Sequence, residues 1–147
     1  AGWDRVREAT LDDVEALVAL EEEVSGIRRA KDFEFFIRNE QGIWRLFLSE
    51  SDGGVEGFLA SIDHPGSCML GPGVMRNEEA ALALIHTQLN AIPERQPVFL
   101  VPAHSSGLIA ALYDWGARNC EIHLAQVRGE AQDFRGVTMP TFMPETG

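Results

Sequence analysis

The stretch GPGVMRNEEAALALI, Gly71 to Ile85, joins the end of a strand, a glycine-rich turn and the start of a helix. Such a junction can hold an anion, because the first amides of a helix have no partner within it and carry a partial positive charge. Gly71 and Gly73 let the backbone come close to a ligand. Glu78 and Glu79, however, stand where an anion would sit. Acidic residues in a first turn also stabilise a helix by themselves, so the junction reads either as a grip for a diphosphate or as a self-capped start.

Groups that could move a proton are few. Tyr113 is the only tyrosine; a phenol there can act as an acid or lie at the core edge with a solvated hydroxyl. Asp63 with His64, and Glu121 with His123, pair a carboxylate with an imidazole that could relay a proton through water. The plainer readings are a turn for His64 and an exposed cross-strand pair for Glu121 and His123. His86 reads as a helix-face residue and His104 as a loop residue. Cys68 and Cys120 lie in predicted strands with no Cys or His at zinc-ligand spacing, so free buried thiols are expected and no metal site.

The totals narrow the partners. A formal net charge of -11 repels phosphates and argues against nucleic acid or an anionic membrane, while a cationic or neutral substrate is compatible with it. The 147 residues, 45% of them apolar, suit one domain with a proper core, residues 1–147. No apolar run approaches the roughly 18 residues of a membrane span, and no basic-then-apolar leader opens the chain. Cytoplasmic location is therefore the expectation.

The elements that must position these residues follow from periodicity. Val6 to Thr10 reads as a short strand, and Thr10 with Asp13 as a capping-box-like start to a helix over 11–24. Lys31 to Asn39 carries Phe33, Phe36 and Ile37 on one helical face. The period then changes to that of strands: Trp44 to Glu50 and Val55 to Asp63 flank an Asp-Gly-Gly hairpin signal, and SCMLG, residues 67–71, makes a third antiparallel strand. Asn77 caps a helix with a stripe of Leu82, Ile85, Leu89 and Ile92, which Pro93 stops. Pro97 to Ala103 is a wholly apolar run, read as a strand covered on both faces. Ser105 or Ser106 caps a further helix with Leu108, Leu112 and Trp115, ending at Gly116. Cys120 to Val127 and Gly136 to Phe142 supply the last two strands.

That order resembles the GCN5-related N-acetyltransferase (GNAT) superfamily over nearly the whole chain. The resemblance is carried by VREATLDDVEALVAL, the GFLAS strand, the helix start at Arg76 and LIAALYDWGA. It implies an α/β (α+β) acyl-CoA N-acyltransferase fold with a mixed, mostly antiparallel sheet of six to seven strands and four helices. It also implies acetyl-CoA as co-substrate and a small-molecule amine as acceptor. In the family the loop after the fourth strand reads Gln or Arg, two residues, Gly, one residue, Gly or Ala. Here Arg76, Asn77, Glu78, Glu79, Ala80 and Ala81 keep the first and last positions and put Glu79 at the first glycine. By the same resemblance Met69, Leu70 and Gly71 would offer backbone groups to the pantetheine arm, in an opening between the fourth and fifth strands. Ser106 would stand near a coenzyme contact. Tyr113 would be the acid that protonates the leaving thiolate, although alignment on Gly116 places Leu112 at the family's tyrosine. Trp44, Phe33, Phe36 and Phe142 fall where an acceptor pocket is built, or are plain core. A second reading is a catalytically silent acyl-CoA-binding or interaction domain. A monomer, a homodimer paired through terminal strands, or one half of a larger pseudo-duplicated enzyme all fit the sequence.

Overall fold

A computed structural model of the protein describes residues 5–118 and 136–140. The chain opens with β1, Val6–Glu8, and a tight 3-10 turn, Leu11–Asp13. Asp13 folds back so that its carboxylate accepts from the Thr10 amide at 2.7 Å, while its own amide donates to the Thr10 carbonyl at 2.9 Å. Helix α1, Val14–Ser25, continues from there and ends where Gly26 adopts φ 74°. The predicted helix start at residue 11 thus belongs to a tighter turn. Helix α2, Ala30–Arg38, lies within one residue of its expected start and end, and Asn39 at φ 47° reverses the chain. The Asn39 side-chain oxygen accepts from the Trp44 amide at 2.8 Å, which starts the sheet.

Strands β2 (Trp44–Ser51), β3 (Gly54–His64), β4 (Ser67–Met75) and β5 (Val137–Met139) join β1 in a sheet of order β1-β2-β3-β4-β5, antiparallel throughout. The third strand of the hairpin meander runs four residues further than SCMLG suggests, through Met75. Helix α3, Glu78–Ala91, and α4, Ser106–Asp114, complete the described elements.

Side chains alternate across β3 and divide the interior into two cores, as a period of two requires. Phe58 and Ala60 pack with Leu17, Leu20, Phe33, Phe36 and Trp44 under α1 and α2. Leu59 packs with Leu70, Met75, Leu84, Ile85, Leu108 and Leu112 under α3 and α4. The buried face of α3 is Ala81, Leu84, Ile85 and Gln88, so Leu82 and Leu89 flank the packed stripe.

One expected strand is absent. Within residues 97–103 only Val98 pairs with the sheet, through a single parallel bridge to Met69. Its carbonyl accepts from the Leu70 amide and its amide donates to the Cys68 carbonyl, both at 3.0 Å. Pro97 and Pro102 have no amide to donate, which confines pairing to the residue between them that makes both bonds. Val98 is 41% exposed, so the run is not covered on both faces. Gly136 to Phe142 does yield a strand, β5, which among the described residues spans Val137–Met139. Cys120 to Val127 and Phe142 lie outside the described residues.

Candidate functional site

The candidate site begins at the edge of β4. Val98 sits beside Met69 at the foot of this edge and the chain then departs, which makes the vertex of a wedge. Above the vertex the edge was expected to be open; the structure places β5 there. Gly73 faces Met139, Val74 faces Thr138 and Met75 faces Val137. Gly71, at φ 131°, lies against the following residue, since a Cβ there would come 2.9 Å from the Pro140 carbonyl oxygen. Of the backbone groups assigned to a pantetheine arm, the Leu70 amide is taken by Val98 and Gly71 is covered by Pro140. Met69 turns its side chain to the α1/α2 core.

At the start of α3 the groups separate by role. The Arg76 amide donates to the Glu56 carbonyl at 2.8 Å. Its guanidinium donates to Glu23 at 2.8 Å and lies 3.9 Å from Glu56, which draws the charge toward α1 and β3 and raises its affinity for its proton. Asn77 caps the helix as expected: its side-chain oxygen accepts from the Ala80 amide at 2.8 Å, and its carbonyl accepts from the Ala81 amide at 3.2 Å. Glu78 and Glu79, the first two residues of the helix, keep amides that helix geometry leaves without an intrahelical acceptor. Glu79 is exposed and Glu78 half-buried. The Glu78 carboxylate reaches toward α4, where its Oε2 would stand 2.5 Å from a Cβ on Gly107. That removes one of the two acids from its own helix start and rests it on the start of the next, where Ser105 makes no side-chain capping bond. Ser106 is exposed, and its amide donates to the His104 carbonyl at 3.0 Å.

Tyr113 is 48% exposed, one position round α4 from Leu112, which is 4% exposed and packed. Trp115, expected on the packed stripe, is 40% exposed and meets His86 edge-on at 5.7 Å. Asp63 pairs with Arg95 at 2.9 Å, and Arg95 also donates to the His64 carbonyl at 3.0 Å. The His64 ring accepts from the Gly66 amide at 3.0 Å, which makes it a turn residue. Cys68 is the cross-strand neighbour of Asp63, and burial pushes its thiol above its ordinary pKa. Such a thiol is a poor nucleophile. Phe33, Phe36 and Trp44 are 0%, 1% and 6% exposed and form core. Glu121, His123 and Cys120 lie outside the described residues. Among the described residues no cluster of three or more His, Cys, Asp or Glu could hold a metal, and no helix is long and apolar enough to cross a membrane.

Two polar residues escaped sequence reasoning. Glu21 is fully buried, paired with Arg29 at 2.7 Å, and burial pushes its carboxyl up to about 7 despite that partner. The spacing Leu17, Glu21, Val24 sets this acid on the apolar face of α1, a signal visible in the sequence. Gln88 is also fully buried and donates to the Leu59 carbonyl at 2.7 Å, where the β3–β4 register shifts between Leu59 and Ser61. Its side-chain amide thus bonds the sheet backbone at the irregular point of the ladder.

The first two amides of α3 thus have no acceptor within their helix, and the edge of β4 that leads to them carries β5. The family model described as an acetyltransferase (GNAT) domain matches residues 17–133. Among solved structures, the chain is similar to a ribosomal-protein-alanine N-acetyltransferase from Brucella melitensis, with 22% identity and a TM-score of 0.58 over 79% of this chain and 85% of that one. It is also similar to the ribosomal-protein-S18-alanine N-acetyltransferase from Escherichia coli, with 15% identity and a TM-score of 0.56 over 76% and 75% of the two chains. TTHA1254 from Thermus thermophilus gives 21% identity and a TM-score of 0.58 over 86% and 99%. At such identities these likenesses speak for the fold alone. No curated protein matches the sequence.

Proposed function

We propose that this chain, which belongs to the acetyltransferase (GNAT) family, transfers the acetyl group of acetyl-CoA to the amine of a small molecule by direct attack in a ternary complex. The observation that carries the reading is the start of α3, where Glu78 and Glu79 present amides without an acceptor in the helix and Glu78 has turned its charge toward α4. The diphosphate of the coenzyme would accept from those amides, while Asn77 and Arg76 fix the turn from outside it. In the reaction the amine nitrogen forms a bond to the thioester carbonyl carbon, the carbon–sulfur bond breaks, and the thiolate takes a proton as the amine gives one up. Tyr113, partly exposed on α4 beside the packed Leu112, is the donor proposed for the thiolate. The charge of -11 favours a cationic acceptor. A cytoplasmic monomer or homodimer is the state in which we expect the protein to act.

Acetyl-CoA should raise the melting temperature by mass action, and free thiol should appear when the right amine is supplied. No shift at millimolar acetyl-CoA, in the native chain and in the β5 variant described below, would remove the coenzyme from the reading. A shift without thiol release across a broad amine panel would favour a silent coenzyme-binding domain, a reading that Glu79 at the first-glycine position and the one-position shift of Tyr113 also support.

A further inference from the structure

We propose that β5 is an internal occupant of the acyl-CoA site, so that coenzyme binding exchanges this strand for the extended arm of the ligand. The inference rests on the acetyl-CoA reading above. Gly73, Val74 and Met75, the residues that pair with β5, run directly into Arg76 and the start of α3. A ligand anchored on the Glu78 and Glu79 amides and extending along β4 toward the vertex at Leu70 must cross those three residues. The space cannot hold both. A Cβ on Gly136 would lie 2.2 Å from the Met75 carbonyl oxygen, and one on Gly71 would lie 2.9 Å from that of Pro140, so the two backbones touch at both ends of the ladder.

What holds β5 is also suited to exchange. Among the described residues its ladder with β4 is three residues long, and residues 136–140 fall outside the span that the family model matches, 17–133. Val137 and Met139, 4% and 1% exposed, insert beside Leu59, Leu70 and Leu108. Those side chains keep the core dry while no ligand lines the edge. A strand that competes with the ligand lowers its apparent affinity by the fraction of molecules whose edge is free.

Hydrogen exchange on the native protein reads the exchange of partners directly. In saturating acetyl-CoA the β5 amides that bond to β4, which alternate along Val137–Met139, should exchange at least about tenfold faster, while Leu59 and Leu84 stay protected. Unchanged or slower exchange at those bonded amides, in protein that binds acetyl-CoA, would overturn the proposal and leave the acetyl-CoA reading intact. The double variant Val137→Asp/Met139→Asp sets two charges against the core and should expel the strand. Its dissociation constant for acetyl-CoA, by calorimetry, should tighten about tenfold or more, with a cooperative melting transition retained. Equal or weaker binding by a folded variant overturns the proposal; if the variant does not fold, the exchange experiment decides. Binding by neither the native chain nor the folded variant removes the acetyl-CoA reading and this inference together.

Discussion

The two faces of the sheet are built differently. Under α1 and α2 the core is aromatic and interlocked: Phe33 meets Phe58 edge-on at 4.8 Å, and Phe36 lies 4.6 Å from Trp44. Ion pairs fix the charges around it, with Arg29 on Glu21 and Arg7 on both Asp13 and Glu50. Among the described residues the core under α3 and α4 has no buried ring: it is aliphatic, with Ala80, Ala81, Met75 and Met139 set among leucines and isoleucines, and a paired segment of three residues, β5, closes it. Rings and paired charges can be satisfied in one arrangement only. Alanines, methionines and a short ladder can be rearranged with less loss. The first face keeps the fold, and the second presents the groups that a ligand would use.

The largest effect expected on this contrast comes from Phe33→Ala. Phe33 is fully buried, so the change should lower unfolding free energy by about 3–5 kcal/mol in urea melts. Val137→Ala, on the exchangeable face, should lower it by about 1 kcal/mol. Equal losses at the two positions would break the comparison. Next in size is the pH dependence of Glu21. Burial raises its folded pKa to about 7, above the ordinary carboxylate value, so the folded state holds this proton more tightly than the unfolded chain. The contribution is therefore fully present below about pH 4.5 and is lost as pH rises to about 7. The loss should be on the order of 3 kcal/mol, from about 1.4 kcal/mol per unit. Glu21→Gln should flatten that slope in melts recorded across the window; an unchanged slope would show that Glu21 is not its source.

Asp13 runs the other way and more weakly. The Arg7 guanidinium, at 2.9 Å, holds its carboxyl down at about 2. A depressed acid stabilises above its unfolded pKa, and that stabilisation is lost as pH falls from about 4 to about 2. Because Arg7 is partly exposed, the loss should be on the order of 1 kcal/mol and should shrink in high salt. Asp13→Asn should abolish it; acid melts of native and variant protein with the same profile would contradict the assignment.

The aromatic face was largely legible in the sequence, and the exchangeable face only in part. Helices α1 and α2 and strands β2 and β3 announce themselves through periodicity and the Asp52-Gly53-Gly54 turn, which are local signals. Asn77 as the cap of α3 is likewise local, and so is the shift of Tyr113 away from the packed position that Leu112 fills. What could not be read was which chain segment would lie beside β4. That choice is made by tertiary contacts between Gly73–Met75 and residues more than sixty positions away, and by prolines that stop Val98 from extending its single bridge. The direction of Glu78 was equally hidden, because it depends on how close the start of α4 comes.

The smallest expected effect tests the site most narrowly. Glu79 is the one first-turn acid of α3 that faces solvent, and it occupies the position of the family's first glycine. If a diphosphate accepts from the neighbouring amides, this carboxylate opposes it through a short, largely hydrated gap. Glu79→Gln removes the charge with little change in size and keeps a good helix former in place. An exposed charge near a helix start is worth about 0.3–1 kcal/mol. Acetyl-CoA should therefore bind the variant roughly 2–5 times more tightly, with the gain fading as salt is raised. Since Glu79 also complements the partial positive charge of its own helix, the variant should lose a few tenths of a kcal/mol of stability by the same rule. Tighter binding with slightly lower stability is the signature of an anion site at this turn. Unchanged or weaker binding would mean that the diphosphate does not sit there, and that the start of α3 serves only its own cap.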